Sequence, residues 1–190
     1  MTAAESAIVL QEKFPAAVKS ITEFRRETTV VLTLESLVPV MTYLKGELDY
    51  DLLLDLSSVD NMGEDPRYEV VYELYSLTGK SHLRVKVAVP EDDTRVATVS
   101  HLWPTADWHE REVYDMMGLT FTGHPDLRRI LMWDGYPYFP LRKDFPLGGK
   151  PTEVPDVAFT GTAPLAGGPF VTSSGAMDRV AGEPRAKGEA

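Results

Sequence analysis

The stretch HEREVYDMMGLTFTGHPDLRR, residues 109–129, carries carboxylates, guanidinium groups and two imidazoles within one short run of chain. Residues of these types perform acid–base catalysis, coordinate metal ions or bind charged groups of another molecule. Their spacing decides which of these three chemistries the sequence favours.

A zinc site of the metalloprotease type requires His-Glu-x-x-His, which places both imidazoles on one face of a helix. After His109-Glu110 the sequence has no histidine at the second ligand position. His101 and His109 would lie about 12 Å apart along a helix, too far to share a small ion. The spacing therefore disfavours a metal site, although a free-standing metal-dependent enzyme that uses His109, Glu110 and His124 remains an alternative.

Two of the three acidic residues Glu110, Glu112 and Asp115 could act together as a general acid and a general base. Arg111 lies four positions before Asp115, so we expect it to hold that carboxylate ionised, and an ionised acid is a poor proton donor. The chain also lacks a phosphate-binding loop, the Gly-x-Gly-x-x-Gly pattern and the Gly-x-Ser-x-Gly nucleophile elbow. The pattern therefore favours binding over catalysis, with an ordinary solvated helix face as the alternative.

Composition narrows the possible partners. The 190-residue chain has a formal net charge of −10, which disfavours nucleic acid because phosphate binding needs a basic surface. The absence of cysteine excludes disulfides, thiolate nucleophiles and cysteine-ligated iron–sulfur clusters in this chain. No apolar run approaches the roughly 20 residues of a membrane span, and the N-terminus does not resemble a signal peptide.

The elements that must position these residues form an α+β domain over residues 1–131. Apolar spacing predicts a mixed β-sheet of about four strands, including an antiparallel hairpin, with helices packed on it. On the polar face of that hairpin, Glu69 and Glu73 are predicted to lie across from Arg84 and Lys86. His124 is predicted to be a turn residue, in a Gly-His-Pro-Asp sequence that resembles a helix entry with Asp126 near the first turn. The predicted helices are 5–24 with Pro15 as a possible break, 35–48 with Ser36 as N-cap, 94–102, and 104–117 ended by Gly118; the predicted strands are 28–34, 52–60, 67–77 and 81–89.

Two segments follow the predicted domain. Residues 132–155 are rich in proline and aromatic residues, so we expect an extended segment that lies against a surface and docks a partner. Residues 156–190 are rich in Ala, Gly, Ser, Thr and Pro and are predicted to be a flexible tail.

The motif also carries a family resemblance. Glu110-Arg111-Glu112, Asp115, two methionines, His124, Arg128 and Ile130-Leu131 resemble the 30-kilodalton, or C, subunit of respiratory complex I, the proton-translocating NADH–quinone oxidoreductase. The segments RYEVVYEL, HLWPTADWHEREVYDMMGLTFTGHPDLRRIL and PLRKDFPLGG agree with that pattern, so the resemblance covers residues 50–150.

The resemblance implies a peripheral-arm subunit that has no catalytic residues, metal or cofactor of its own. FMN, the Fe–S clusters, NADH and quinone would belong to partner subunits. The partners of this chain would be other peripheral-arm subunits, chiefly the 49-kilodalton quinone-site subunit. The chain would lie on the cytoplasmic side of the cell membrane and reach the membrane only through the complex. A small subunit of a membrane-bound hydrogenase-type complex and a generic soluble adaptor are the alternatives. The motif positions to which the resemblance assigns roles in assembly and in contacts between subunits are Glu110, Arg111, Glu112, Asp115, His124, Arg128, Arg129, Arg142, Lys143 and Asp144.

Overall fold

The computed structural model describes residues 1–146 and confirms the α+β class. The helices are α1 (Ala3–Lys13), α2 (Leu37–Gly46) and α3 (Ala106–Met117), with a 3-10 turn at Leu34–Ser36. The strands are β1 (Val18–Phe24), β2 (Glu27–Leu32), β3 (Leu52–Asp60), β4 (Tyr68–Ser76), β5 (Ser81–Val89), β6 (Arg95–Ala97) and β7 (Thr120–Thr122). Residues 147–155 of the predicted docking segment and the predicted tail lie outside the described part of the chain.

The main sheet has five strands in the order β1-β2-β5-β4-β3. It is mixed, because β2 and β5 are parallel while the other neighbours are antiparallel. Alternate residues of the central strands point to the core beneath α1 and α2, which bury Leu10 and Met41 respectively. β3 is an edge strand, and α3 packs beside it.

The fifth strand, β1, occupies residues that the sequence predicts as the second half of a helix, so that prediction is wrong. α1 ends at Lys13, two residues before Pro15, and Phe14 is its C-cap. In β1 only Val18 and Ile21 are partly buried, and their three-residue spacing is also the spacing of one helical face. An edge strand with one half-buried face therefore produced a helical pattern.

The predicted helix 94–102 is also wrong. Residues 95–97 form β6, which runs parallel to β7 and pairs Val96 with Phe121. Thr94, Val96, Thr98 and Val99 are β-branched, and such residues fit a strand better than a helix.

The β4–β5 hairpin confirms the predicted register of charges. Glu69 lies 2.7 Å from Lys86, and Glu73 lies 2.5 Å from Arg84, on the face opposite the core. Each cross-strand pair stabilises the hairpin by roughly 0.2–1 kcal/mol. This sheet face is therefore charged but largely self-neutralised.

Gly118 ends α3 as predicted, in the left-handed conformation with φ +75°. A Cβ atom at this position would lie 2.6 Å from an Arg142 nitrogen and 2.7 Å from the Phe139 ring. Glycine is therefore required at position 118 for two reasons: the backbone angle and the close approach of a later segment. We call that segment, residues 132–146, the strap.

Candidate functional site

α3 carries the acidic motif and buries two of its three carboxylates. Glu110 and Asp115 are fully buried, whereas Glu112 is exposed. The sequence predicts a charged helix face or a partner contact for all three. The structure instead places Glu110 and Asp115 inside the domain, where each needs an internal donor.

Asp115 holds the start of the strap. Its Oδ1 lies 2.5 Å from the Arg129 guanidinium, and its Oδ2 accepts the backbone N–H groups of Ile130, Leu131 and Met132 at 3.0, 2.7 and 2.8 Å. Burial acts to raise the pKa of Asp115, but the N–H of Met132 and the Arg129 guanidinium outweigh it and hold the pKa below its usual range. The predicted pairing with Arg111 is therefore wrong, because Arg129 supplies the charge.

Arg111 bonds to backbone instead. Its guanidinium donates to the carbonyl oxygens of Arg128 at 3.2 Å and Arg129 at 3.3 Å. The same group lies 5.9 Å from the ring centre of Trp108. Arg111 thus fixes residues 128–129 against α3 and joins them to an exposed indole.

Glu110 anchors α3 to the 98–100 segment. Its two oxygens accept the Thr98 hydroxyl at 2.5 Å and the Val99 N–H at 2.8 Å. Burial raises the pKa of Glu110, and these two hydrogen bonds oppose that effect only in part.

His124 fixes the turn after β7. Its side chain is buried, its Nδ1 accepts the N–H of Asp126 at 3.0 Å, and its Nε2 lies 3.1 Å from the carbonyl oxygen of Asp107. Since Nδ1 accepts, Nε2 carries the proton and donates to that carbonyl. His124 lies at a turn, as predicted, but no helix begins there, because His124–Arg128 forms a turn and irregular chain.

The far end of the strap is held by Asp60, the last residue of β3, and by Arg67, which directly precedes β4. The Lys143 N–H donates to Asp60 at 2.8 Å, and Asp144 lies 3.4 Å from Arg67. A hydrogen bond from Arg67 lowers the pKa of Asp60, and the pKa of Arg67 is raised in turn. Arg142 donates to the Met117 carbonyl at 2.6 Å.

Aromatic rings fill the strap between these two ends. The ring centres of Trp133 and Tyr136 are 4.7 Å apart, and those of Tyr136 and Tyr138 are 5.7 Å apart. Arg129 lies 5.6 Å from the Tyr136 ring and 5.3 Å from the Phe139 ring. The sequence predicts that this segment lies against a surface, and residues 132–146 lie against their own domain.

Five motif-region residues reach the surface beside this internal network. Trp108 is 67% exposed and Leu131 is 61% exposed, while the Arg128 side chain pairs with the exposed Asp126 at 2.9 Å. Because Arg111 contacts both Trp108 and the 128–129 backbone, these groups form one surface. We call it the Trp108 surface: Trp108, Arg111, Glu112, Arg128 and Leu131.

Sequence reasoning missed several participants. Asp60 and Arg67 hold the strap although they lie far from the motif in the sequence, and Thr98 holds Glu110. The available signal was a charged residue at the end of an apolar strand, since Asp60 closes β3. Within residues 1–146, no three His, Cys, Asp or Glu side chains lie close enough to hold a metal ion. Nor is any helix of that part long and apolar enough to cross a membrane.

Comparisons with known proteins show which family the sequence matches. Residues 30–151 match the family model of the respiratory-chain NADH dehydrogenase 30-kilodalton subunit. The C subunit of the NADH-quinone oxidoreductase of Geobacter metallireducens is 50% identical over 147 residues, which cover 77% of this chain and 91% of that protein. The protein of the same name from Geotalea uraniireducens is 48% identical over 146 residues, covering 77% and 89% respectively.

Two solved structures share the fold. A trypsin-resistant fragment of Nqo5 is 37% identical with a TM-score of 0.57 and covers 63% of this chain and 97% of its own. A chain of an archaeal membrane-bound sulfane sulfur reductase, a respiratory membrane complex, is 26% identical with a TM-score of 0.64, covering 76% and 85%. The family match spans α3, the Asp115 network and the strap, and the chain belongs to the family of the respiratory-chain NADH dehydrogenase 30-kilodalton subunit.

Proposed function

We propose that this chain is a non-catalytic, peripheral-arm subunit of a proton-translocating NADH–quinone oxidoreductase that holds neighbouring subunits in place. The observation that carries the proposal is the internal use of the motif charges. The Asp115 carboxylate accepts four donors from residues 129–132, so its lone pairs serve the fold. A general acid or nucleophile needs a group free to reach a reactant.

The Trp108 surface is the proposed contact with a neighbour, chiefly the 49-kilodalton quinone-site subunit. Tryptophan and arginine dominate the binding energy of protein interfaces, and both occur here side by side. Arg111 is already held by two carbonyl oxygens. It therefore loses little side-chain freedom when a partner covers Trp108.

In this proposal electrons never pass through the chain. FMN, the Fe–S clusters, NADH and quinone are bound by partner subunits, and the chain supports the subunit that forms the quinone site. It lies on the cytoplasmic side of the cell membrane through its attachment to the complex.

Replacement of Trp108 by alanine tests the contact. A tagged chain with this change should recover less of the NADH–quinone oxidoreductase from solubilised membranes, while turnover per assembled complex stays unchanged. Phe24→Ala is the matched control, because Phe24 is 65% exposed on β1, at the opposite edge of the sheet from β3. Equal recovery by both variants, or normal assembly with lost turnover, contradicts the proposal.

The sulfane sulfur reductase chain supports a second candidate, a subunit of a related membrane-bound reductase or hydrogenase. The lower identity of that chain, 26% against 50% for the Geobacter protein, favours the NADH–quinone assignment. Co-purification separates the two, since recovery of NADH- and FMN-binding subunits with the tagged chain supports the first candidate only.

A further inference from the structure

Glu110 is a buried carboxylate that lies on the inner side of α3, away from the Trp108 surface. It is fully buried, and both of its oxygens are bonded to the 98–100 segment. A carboxylate at such a position is unfavourable to ionise unless a full positive charge lies beside it.

Within residues 1–146, no lysine or arginine pairs with Glu110. The nearest imidazole nitrogen, Nε2 of His124, is 3.9 Å away and points its proton at the Asp107 carbonyl oxygen. His124 acts to lower the pKa of Glu110, but burial outweighs this effect and the net shift is upward.

The other ionisable groups that face Glu110 do not neutralise it. Asp107 lies one turn earlier on α3 and adds negative charge, which acts to raise the pKa of Glu110 further. Tyr72 of β4 is fully buried; burial, and after it the charge of Glu110, raise the pKa of Tyr72 well above its usual value. Tyr72 therefore stays neutral.

A hydroxyl chain connects Glu110 to the outside. Thr98 Oγ1 lies 2.5 Å from the Glu110 carboxylate and 2.8 Å from Ser100 Oγ, and Ser100 is partly exposed. Each hydroxyl can donate or accept. When a proton enters at Ser100 and moves inward, the Thr98 hydroxyl reverses, so that it accepts from protonated Glu110 and donates to Ser100.

We propose that Glu110, Thr98 and Ser100 form a proton-controlled latch, closed on the 98–100 segment when Glu110 carries a proton and more readily opened when Glu110 is ionised. This proposal goes beyond the proposed function and does not depend on the identity of any partner. Opening brings the ionised carboxylate into water and frees the Val99 N–H.

Linkage gives the sign of the effect. The folded pKa is raised above the ordinary value of 4.5, so the closed latch binds more protons than the open one. The equilibrium constant for opening then rises with pH, up to tenfold per pH unit, and levels off above the folded pKa.

The test uses nuclear magnetic resonance of the full chain between about pH 5 and pH 8. The side-chain carboxyl carbon of Glu110 should titrate above 4.5 in the wild-type protein. The opening constant of the Val99 amide, from hydrogen exchange corrected for its intrinsic pH dependence, should rise over the same range. Glu110→Gln, which imitates the protonated acid, should make Val99 opening independent of pH.

Two further variants serve as controls. Glu112→Gln removes an exposed carboxylate two residues away and should behave as wild type. Thr98→Val removes a donor that lowers the pKa of Glu110, so its titration should move to higher pH. Titration of wild-type Glu110 at or below 4.5, or Val99 opening that does not rise with pH, would overturn the latch even if every variant failed to fold.

Discussion

The Arg129 guanidinium donates to Asp115 at 2.5 Å across fourteen positions of sequence. The same carboxylate accepts the backbone N–H groups of residues 130–132, so one side chain on α3 fixes the point where the chain enters the strap. Arg129 in turn lies against the rings of Tyr136 and Phe139. The ion pair therefore links the charge pattern of α3 to the aromatic segment that follows it.

Removal of this carboxylate should cost the fold far more than a surface change would. Asp115→Asn leaves the largely buried Arg129 guanidinium beside a neutral group, and breaking a buried pair in this way costs about 3–5 kcal/mol. Urea denaturation measures the loss. Limited trypsin digestion should also cut after Arg128 and Arg129 faster than in wild type. Unchanged stability and unchanged cleavage together would show that Asp115 does not hold the strap.

Acid should release both ends of the strap. The pKa values of Asp115 and Asp60 lie below their ordinary value of 3.8. Each group therefore contributes stability that is complete above 3.8 and is lost as pH falls through the lower, folded pKa. The free energy of unfolding, measured between about pH 2.5 and 6, should fall with acid less steeply in Asp115→Asn than in wild type. Parallel curves for the two proteins would contradict this.

Gly118 offers a direct measure of how closely the strap approaches α3. Gly118→Ala adds a Cβ that meets Arg142 and Phe139 at 2.6 and 2.7 Å, and it also strains a backbone with φ +75°. Gly135→Ala is the matched control, because Gly135 has φ +83° but nothing within 4 Å of an added Cβ. The backbone strain of about 1–3 kcal/mol is common to both variants. Thermal unfolding should therefore show a greater loss of stability for Gly118→Ala than for Gly135→Ala. Equal losses would mean that the strap moves away from the added Cβ atom without cost.

Local patterns were enough to predict β3, the β4–β5 hairpin with its Glu69–Lys86 pair, and the end of α3 at Gly118. These features depend on alternation, cross-strand charge and a left-handed cap, all of which are short-range. The predictions for β1 and β6 are wrong because their own sequences show no alternating pattern: β1 is a largely exposed edge strand, and β6 is three residues long and pairs with the distant β7. The pairing of Asp115 with Arg129 rather than Arg111 could not be predicted from the sequence either. The expectation that residues i and i+4 of a helix pair with each other ignores partners supplied by a later segment of the chain. The burial of Glu110 depends on Thr98 and Val99 in the same way.

The neighbouring arginines 128 and 129 separate folding from assembly. Arg129 is largely buried against Asp115, whereas the Arg128 side chain is 68% exposed and paired with the exposed Asp126. Arg129→Ala should therefore destabilise the isolated chain by about 3–5 kcal/mol, because it leaves a buried carboxylate unpaired. Arg128→Ala should change the stability of the isolated chain by less than about 1 kcal/mol.

Assembly of the complex then gives an independent reading of Arg128. If Arg128 contacts a neighbouring subunit, its alanine variant should recover less of the complex at unchanged stability and unchanged turnover per assembled complex.

Truncation provides a second comparison: a chain cut after Leu131 loses the strap and should assemble worse than one cut after Asp156, which keeps it. Full recovery by Arg128→Ala would remove this arginine from the Trp108 surface, because a residue that serves neither the fold nor a partner is simply solvated.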